Sequence, residues 1–147
     1  MKQIRIATDQ DIVKVKLFLG QADVSADGIE NIIDHFILME DAEQNILATL
    51  GVERIERDGL LRSLVITSMV EQTNLLTLFK SAISLAKQKE LERLFLATNK
   101  QASVQFFSML GFEKLEGDQL PEHIQTSNHI SQLFETTEPM IMVFLIE

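Results

Sequence analysis

Arg62 stands inside LLRSLVI, residues 60–66, an otherwise apolar run. A guanidinium drawn into such a strand keeps its charge and must find acceptors. Two arrangements meet that demand. Arg62 holds the carboxylate of an amino-acid-like substrate, or it pairs with a neighbouring glutamate as part of the structure. A second place for chemistry is LPEHI, residues 120–124. Pro121 can open a short helix there, with Glu122 and His123 turned towards a substrate cleft; the alternative is a surface turn. The third is QTNLLTLF, residues 72–79, where an amphipathic run begins. The N–H groups of a helix start lack intrahelical partners and carry partial positive charge, so they attract an anion. Thr73 or Asn74 can cap that start and Gln72 or Thr73 can add a donor, although an ordinary helix cap would use the same residues.

Composition removes several other chemistries. The 147 residues carry thirteen Lys and Arg against twenty-two Asp and Glu, a formal charge of -9. That balance repels nucleic acid and offers no basic stripe for a phosphate backbone, so no nucleic-acid partner is expected. The chain has no cysteine, which excludes disulfides, thiolate metal sites and cysteine nucleophiles. His35, His123 and His129 lack the spacing of a metal site and read as surface or structural histidines, with no metal expected. The opening MKQIRIATDQD has no signal-peptide core, and no apolar run approaches the roughly 18 residues of a membrane helix. The expectation is a soluble, cytoplasmic protein with no membrane partner.

The elements that must position these residues follow from periodicity. KQIRIA reads as a strand, and TDQD as a capping box with Thr8 as N-cap and Asp11 at the third helical position. The helix that follows runs to about Gln21 with Ile12, Val15, Phe18 and Leu19 on its apolar face. GIENIIDHF reads as a second short helix entered at Asp27 and Gly28. Sheet then extends through ILATLGVERI and LLRSLVI, with turns at DAEQN and at Arg57-Asp58-Gly59. From Asn74 the period is helical, with Leu75, Leu78, Phe79, Ala82, Ile83 and Ala86 on one face. ERLFLAT completes a βαβ unit. Asn99 can cap the helix KQASVQFFSML, which ends at Gly111 in a left-handed C-prime position, with Phe112 folding back over the last turn. Pro139 fits only near the start or edge of the final apolar strand, MIMVFLI. That strand would support pairing into a homodimer if it were exposed. No repeat or linker interrupts the chain, so residues 1–147 read as a single α/β (α+β) domain.

LLRSLVI, ERLFLAT and NKQASVQFFSMLGF, taken in this order, resemble the central strand, the following strand and the C-terminal motif of the GCN5-related N-acetyltransferases (GNAT). The last carries an F/Y-x-x-x-G-F signature at Phe107, Gly111 and Phe112. GDQLPEHIQTSNHISQLF resembles a tail in the small bacterial branch of amino-acid N-acetyltransferases, so the likeness covers nearly the whole chain. The resemblance implies a mixed central sheet with a splayed strand pair flanked by helices, and acetyl transfer from acetyl-CoA to a small amine by direct attack. It implies that the backbone at Val65, Ile66 and Thr67 pairs with the pantetheine arm. The pyrophosphate would lie over Gln72, Thr73, Asn74 and Leu75, and Asn99 and Phe107 would be further cofactor positions. Glu53 or Glu56 matches a glutamate that takes the amine proton through water.

The sequence departs from that family at two places. Where the family shows glycines around the pyrophosphate, this chain has Glu71, Gln72, Thr73, Asn74, Leu75 and Leu76. Glu71 adds like charge, and the leucines add bulk where bare backbone would approach the anion. Many family members carry a tyrosine at the position of Phe107, and this chain has none. A silent domain of the same fold, kept as a binding or regulatory protein, is therefore the alternative reading.

Overall fold

The computed structural model describes residues 2–146. Seven strands form one mixed sheet in the order β1-β2-β3-β4-β5-β7-β6. The strands are β1 (Gln3–Ile6), β2 (Phe36–Glu40), β3 (Ile46–Ile55), β4 (Asp58–Ile66), β5 (Arg93–Thr98), β6 (Glu113–Lys114) and β7 (Met140–Leu145). The helices that flank it are α1 (Ile12–Gln21), α2 (Ile29–Ile32), α3 (Gln72–Gln88), α4 (Gln101–Leu110), α5 (Glu122–Gln125) and α6 (Asn128–Thr136). The chain divides into two compact units, residues 1–53 with 62–85 and residues 54–61 with 86–147.

In the first unit the capping box forms as the sequence predicts. The Asp11 carboxylate accepts the Thr8 N–H at 2.8 Å, and one 3-10 turn, Asp9–Asp11, leads into α1. Val15 and Leu19 of α1 pack with Ile29, Ile33, Phe36 and Leu38, all buried. Phe36 lies opposite Gly51 in the β2–β3 register. A Cβ at Gly51 would come within 2.6 Å of that ring, so only glycine admits the phenyl group at this crossing. Phe36 is fully buried and has no open space into which to retreat.

The second unit has its own core of Leu60, Phe95, Ile124, Ile130 and Ile141. Strand β7 pairs with β5 from Met140 to Leu145 and with β6 through Met142 and Val143. Met142 and Val143 therefore have a strand on each side, so the middle of β7 is not a free edge for self-pairing. Pro139 immediately precedes β7, where its missing N–H costs no ladder bond. Gly111 closes α4 at φ 108°, and the Phe112 N–H donates to the Phe107 carbonyl at 3.0 Å.

Four local expectations require correction. The turn between β3 and β4 is Glu56–Arg57, and Asp58 is already the first residue of β4, because its carboxylate is buried and satisfied within the structure. Helix α3 begins at Gln72, two residues earlier than the periodicity indicated, so Thr73 and Asn74 lie inside its first turn and neither is the N-cap. The N-cap of α4 is Lys100, with Asn99 one residue outside. The fourth is helix α6, which lies largely within the stretch GDQLPEHIQTSNHISQLF, for which no element beyond a short helix at Pro121 was expected. Its signals are the Ser127 N-cap, whose hydroxyl accepts the Ile130 N–H, and the spacing Ile130, Leu133, Phe134.

One charged cluster ties the edge of the first unit together. Arg5 donates through Nη1 and Nη2 to the two Asp11 oxygens at 2.8 and 2.7 Å, and through Nε to Glu40 Oε1 at 2.7 Å. Lys14 Nζ adds a contact to Glu40 Oε2 at 3.3 Å. The hydrogen bonds from Arg5 hold the Asp11 carboxyl far below its ordinary 3.8 against the opposing effect of burial. They lower Glu40 from 4.5 in the same way. Depressed carboxylates stabilise the fold fully above their unfolded values, and that contribution drains as pH falls through the folded ones. Arg5→Met should therefore lower stability at pH 7 by about 2–3 kcal/mol and flatten the loss below about pH 4.5. Urea titrations at pH 7 and pH 3 check this, and parallel pH profiles for the two proteins would contradict it.

Candidate functional site

In the first unit, β4 carries a residue of unusual backbone. Ser63 is buried at φ 57° in the middle of a strand, a left-handed conformation that costs a non-glycine residue about 1 kcal/mol or more. The cost is offset locally. Thr49 of β3 donates its hydroxyl to the Ser63 carbonyl at 2.9 Å, and both residues are buried. Beside it, Arg62 Nη1 lies 2.8 Å from Glu53 Oε1, and Arg62 Nε reaches the Ser63 hydroxyl at 3.4 Å. Of the two arrangements open to Arg62, the structure holds the ion pair with a glutamate. The partner is Glu53, itself a candidate base, so these two candidates form one unit.

Val65, Ile66 and Thr67 follow along β4 and its exit. Val65 packs on the first unit's core, and Ile66 is exposed. The Thr67 N–H donates to the Leu47 carbonyl at 3.0 Å. Its hydroxyl oxygen is buried without a hydrogen-bond partner among the described residues. Such an orphan costs on the order of 1–3 kcal/mol unless a ligand satisfies it. After Thr67 the chain turns, with the Val70 N–H on the Thr67 carbonyl, and enters α3.

At the start of α3 the Asn74 side chain reaches back and accepts the Glu71 N–H at 3.0 Å. Asn74 therefore does half the work of a capping box from inside the helix. The same oxygen accepts from Lys2 Nζ at 3.0 Å, which brings an ammonium to this end of the helix. The first-turn N–H groups of Gln72, Thr73 and Asn74 keep the orientation that suits an anion. Leu75 is half-buried, and its N–H closes the first helical bond onto Glu71. Glu71 itself is exposed.

In the second unit a different constellation appears. Asp58 is buried, and its carboxylate accepts from Arg93 Nε at 3.0 Å and Arg93 Nη2 at 2.9 Å. His123 Nε2 lies 2.6 Å from Asp58 Oδ2, and the other ring nitrogen is 3.8 Å from the exposed Glu56 carboxylate. Glu56 holds the turn at φ 57°. His123 is thus fastened to a buried carboxylate, while Glu122 beside it is exposed. β4 and β5 run parallel, with register pairs Asp58–Arg93, Gly59–Leu94 and Leu60–Phe95. Asn99 is exposed after β5, and Phe107 is buried with its ring edge-on to Phe106 and Phe112. Among the described residues no cluster of three or more His, Asp or Glu side chains could hold a metal ion. No described helix is long and apolar enough to cross a membrane.

A protein of Bacillus subtilis (strain 168), the uncharacterized protein YwlB, is 35% identical to this chain over 141 residues, 95% of each chain. The chain belongs to the YwlB family. No protein-family model matches it. Among solved structures, N-acetylglutamate synthase from Neisseria gonorrhoeae, complexed with coenzyme A and N-acetyl-glutamate, superposes with TM-score 0.79 at 20% identity. This chain is covered fully and spans 35% of the synthase chain. Rv2747 from Mycobacterium tuberculosis, in complex with CoA, gives 0.77 at 13% identity with 99% of both chains covered. A GNAT-family acetyltransferase from Staphylococcus aureus Mu50 gives 0.75 at 17% identity with both chains fully covered. The fold of this YwlB-family chain is that of the GNAT acetyltransferases.

Several residues that shape the YwlB-family chain escaped sequence reasoning. The left-handed Ser63 follows no glycine or asparagine signal. Asp58 looked like a turn residue because Asp-Gly usually is one. Its partners, Arg93 and His123, lie 35 and 65 residues away, so no local pattern reveals them. Asp58→Ala would strip a buried anion from two cationic or polar partners and should cost about 3–5 kcal/mol. Urea unfolding at pH 7 measures it, and a cost below about 1 kcal/mol would show that the cluster does not anchor this unit.

Proposed function

We propose that the protein is an N-acetyltransferase that moves an acetyl group from acetyl-CoA to the amine of a small amino-acid-like substrate. The observation that carries this reading is the buried, unpartnered hydroxyl of Thr67, which stands where the resemblance assigns the cofactor arm. Support comes also from the α3 start, where a regular first turn and the Lys2 ammonium offer positive potential to a pyrophosphate despite the missing glycines.

Acetyl-CoA supplies an acyl group activated as a thioester. In this reading the backbone of Val65, Ile66 and Thr67 holds the pantetheine arm, and the Thr67 hydroxyl bonds to one of its amides. Gln72, Thr73 and Asn74 present N–H groups to the diphosphate, while Glu71 weakens that grip by like charge. Ser63 interrupts the regular extended run of β4, which favours a backbone group that leaves the ladder and can polarise a carbonyl. Glu53, oriented by Arg62, takes the proton released as the amine becomes an amide, directly or through water. Glu56, exposed in the turn after β3, is the second candidate for that proton. Phe107 has no hydroxyl to give, so the sulfur departs as thiolate, which a thiol pKa near 8.5 permits. Arg62 remains a candidate contact for the acceptor, whereas Glu122 and His123 belong to the second unit, where His123 is fastened to Asp58. The cytoplasm, where acetyl-CoA and free amines are both present, fits this reading, and so does a homodimer that does not depend on β7.

A silent protein of the same fold is the second reading, favoured by the acidic Glu71 and by Leu75 and Leu76 in place of glycines. Calorimetric titration with acetyl-CoA and CoA separates the two. The wild-type protein should bind with micromolar affinity, and Thr67→Val should bind about five- to tenfold more weakly, the loss of one hydrogen bond. Thr67→Val should fold at least as stably, because it removes an orphan. No binding at millimolar cofactor, or equal affinity in the variant, would overturn the site assigned here.

A further inference from the structure

The second unit contains a cavity of about 320 Å³ that the acetyl-transfer reading does not use. Its floor is apolar and comes from Phe95 of β5 with Val143 and Leu145 of β7. Arg93, Glu113 and Gln119 stand around it. Register explains why these side chains meet. Arg93 lies opposite Leu145, Phe95 opposite Val143, and Val143 opposite Glu113, and directly paired residues point to the same face of a sheet.

Arg93 is held by the buried Asp58, which occupies Nε and Nη2, and its guanidinium also lies 5.1 Å over the Phe95 ring. Among the described residues no partner is found for Nη1. A guanidinium fixed on two sides presents its remaining N–H edge in one orientation, and an anchored fork loses little entropy when it binds a carboxylate. Glu113 supplies the opposite charge. With strands about 4.8 Å apart and a rise of about 3.3 Å per residue, the Arg93 and Glu113 Cα atoms stand about 12 Å apart. Two long side chains reaching inward across that span leave room for one ammonium and one carboxylate. Leu145 is 64% exposed at the wall, a large apolar side chain that an occupant would cover. The net charge of -9 disfavours a purely anionic ligand and leaves a zwitterion unopposed.

We propose that this cavity binds a free amino acid with an aliphatic side chain. Arg93 Nη1 takes the carboxylate, Glu113 takes the ammonium, and the side chain lies on Phe95, Val143 and Leu145. The size falls at the lower end of small-molecule sites, as an amino acid requires. The site is independent of acetyl-CoA, so its test contains none.

The test is titration of the full chain with L-leucine, followed by amide and methyl NMR. Two truncated probes accompany it, 4-methylpentanoate without the ammonium and 3-methylbutylamine without the carboxylate. Leucine should bind with a dissociation constant of about 0.1–1 mM and move the signals of Phe95, Glu113, Val143 and Leu145. Each truncated probe should bind about tenfold more weakly or worse. Glu113→Gln, an exposed change that leaves the fold intact, should weaken leucine about fivefold and leave 4-methylpentanoate unaffected. No shifts at about 10 mM leucine, shifts confined to other residues, or equal binding of a truncated probe would overturn the proposal.

Discussion

The buried carboxylate of Asp58 sets the terms for the second unit. A charge this deep is tolerable only when every face of it is met, and here two Arg93 nitrogens and one His123 nitrogen meet it. The consequence is geometric. Arg93 opens β5, Asp58 opens β4, and the parallel register starts where the two are clamped. The same carboxylate holds α5, a helix too short to persist by its own hydrogen bonds. Ile124 and Ile130 then fall onto Leu60, Phe95 and Ile141 to complete the core. The clamp fixes which strand ends lie together, and the apolar cluster contributes most of the energy.

The first unit is governed by a different compromise, between regular strand geometry and exposed function. Ser63 adopts a backbone that a side chain disfavours, and the Thr49 hydroxyl stabilises it from the neighbouring strand. Thr67 buries a hydroxyl without a partner a few residues later. Two unfavourable features on one short stretch are seldom kept where packing alone is at stake, since glycine would relieve the backbone at position 63 and valine would remove the buried hydroxyl at position 67. They coincide with the stretch that the GNAT resemblance assigns to the cofactor. Against them stands the chemistry of the α3 start, where glutamate and leucines replace glycine. Helix N–H groups do not depend on those side chains, which is why loss of the sequence motif and loss of the anion site are separate events.

Local order made much of this architecture legible. The capping box at Thr8 and Asp11, the glycine stop at Gly111, the amphipathic α3 and the apolar β5 and β7 all follow from residues close in sequence. Where reading failed, a distant partner decided the outcome. Asp58 became a strand residue because of Arg93 and His123, and Arg62 found Glu53 nine residues away across a hairpin. Arg5 found Glu40 on β2, 35 residues away. The start of α3 moved forward because Asn74 caps from within the helix, a role that its identity permits but its position concealed. Helix α6 was missed because its polar first half outweighed the Ile130, Leu133 and Phe134 spacing. Of the candidate site, the residue types were visible in the sequence; the pairing of Glu53 with Arg62 and the orphaned Thr67 needed three dimensions.

The proposed acetyl transfer is tested most directly by amine-dependent release of thiol from acetyl-CoA across a panel of small amino-acid-like amines, with the acetylated product identified by mass. At least one primary amine should yield thiol and N-acetyl product in equal amounts, at a rate that falls on Glu53→Gln. Tight cofactor binding with no amine-dependent thiol release would contradict it and would establish the silent form of the fold instead.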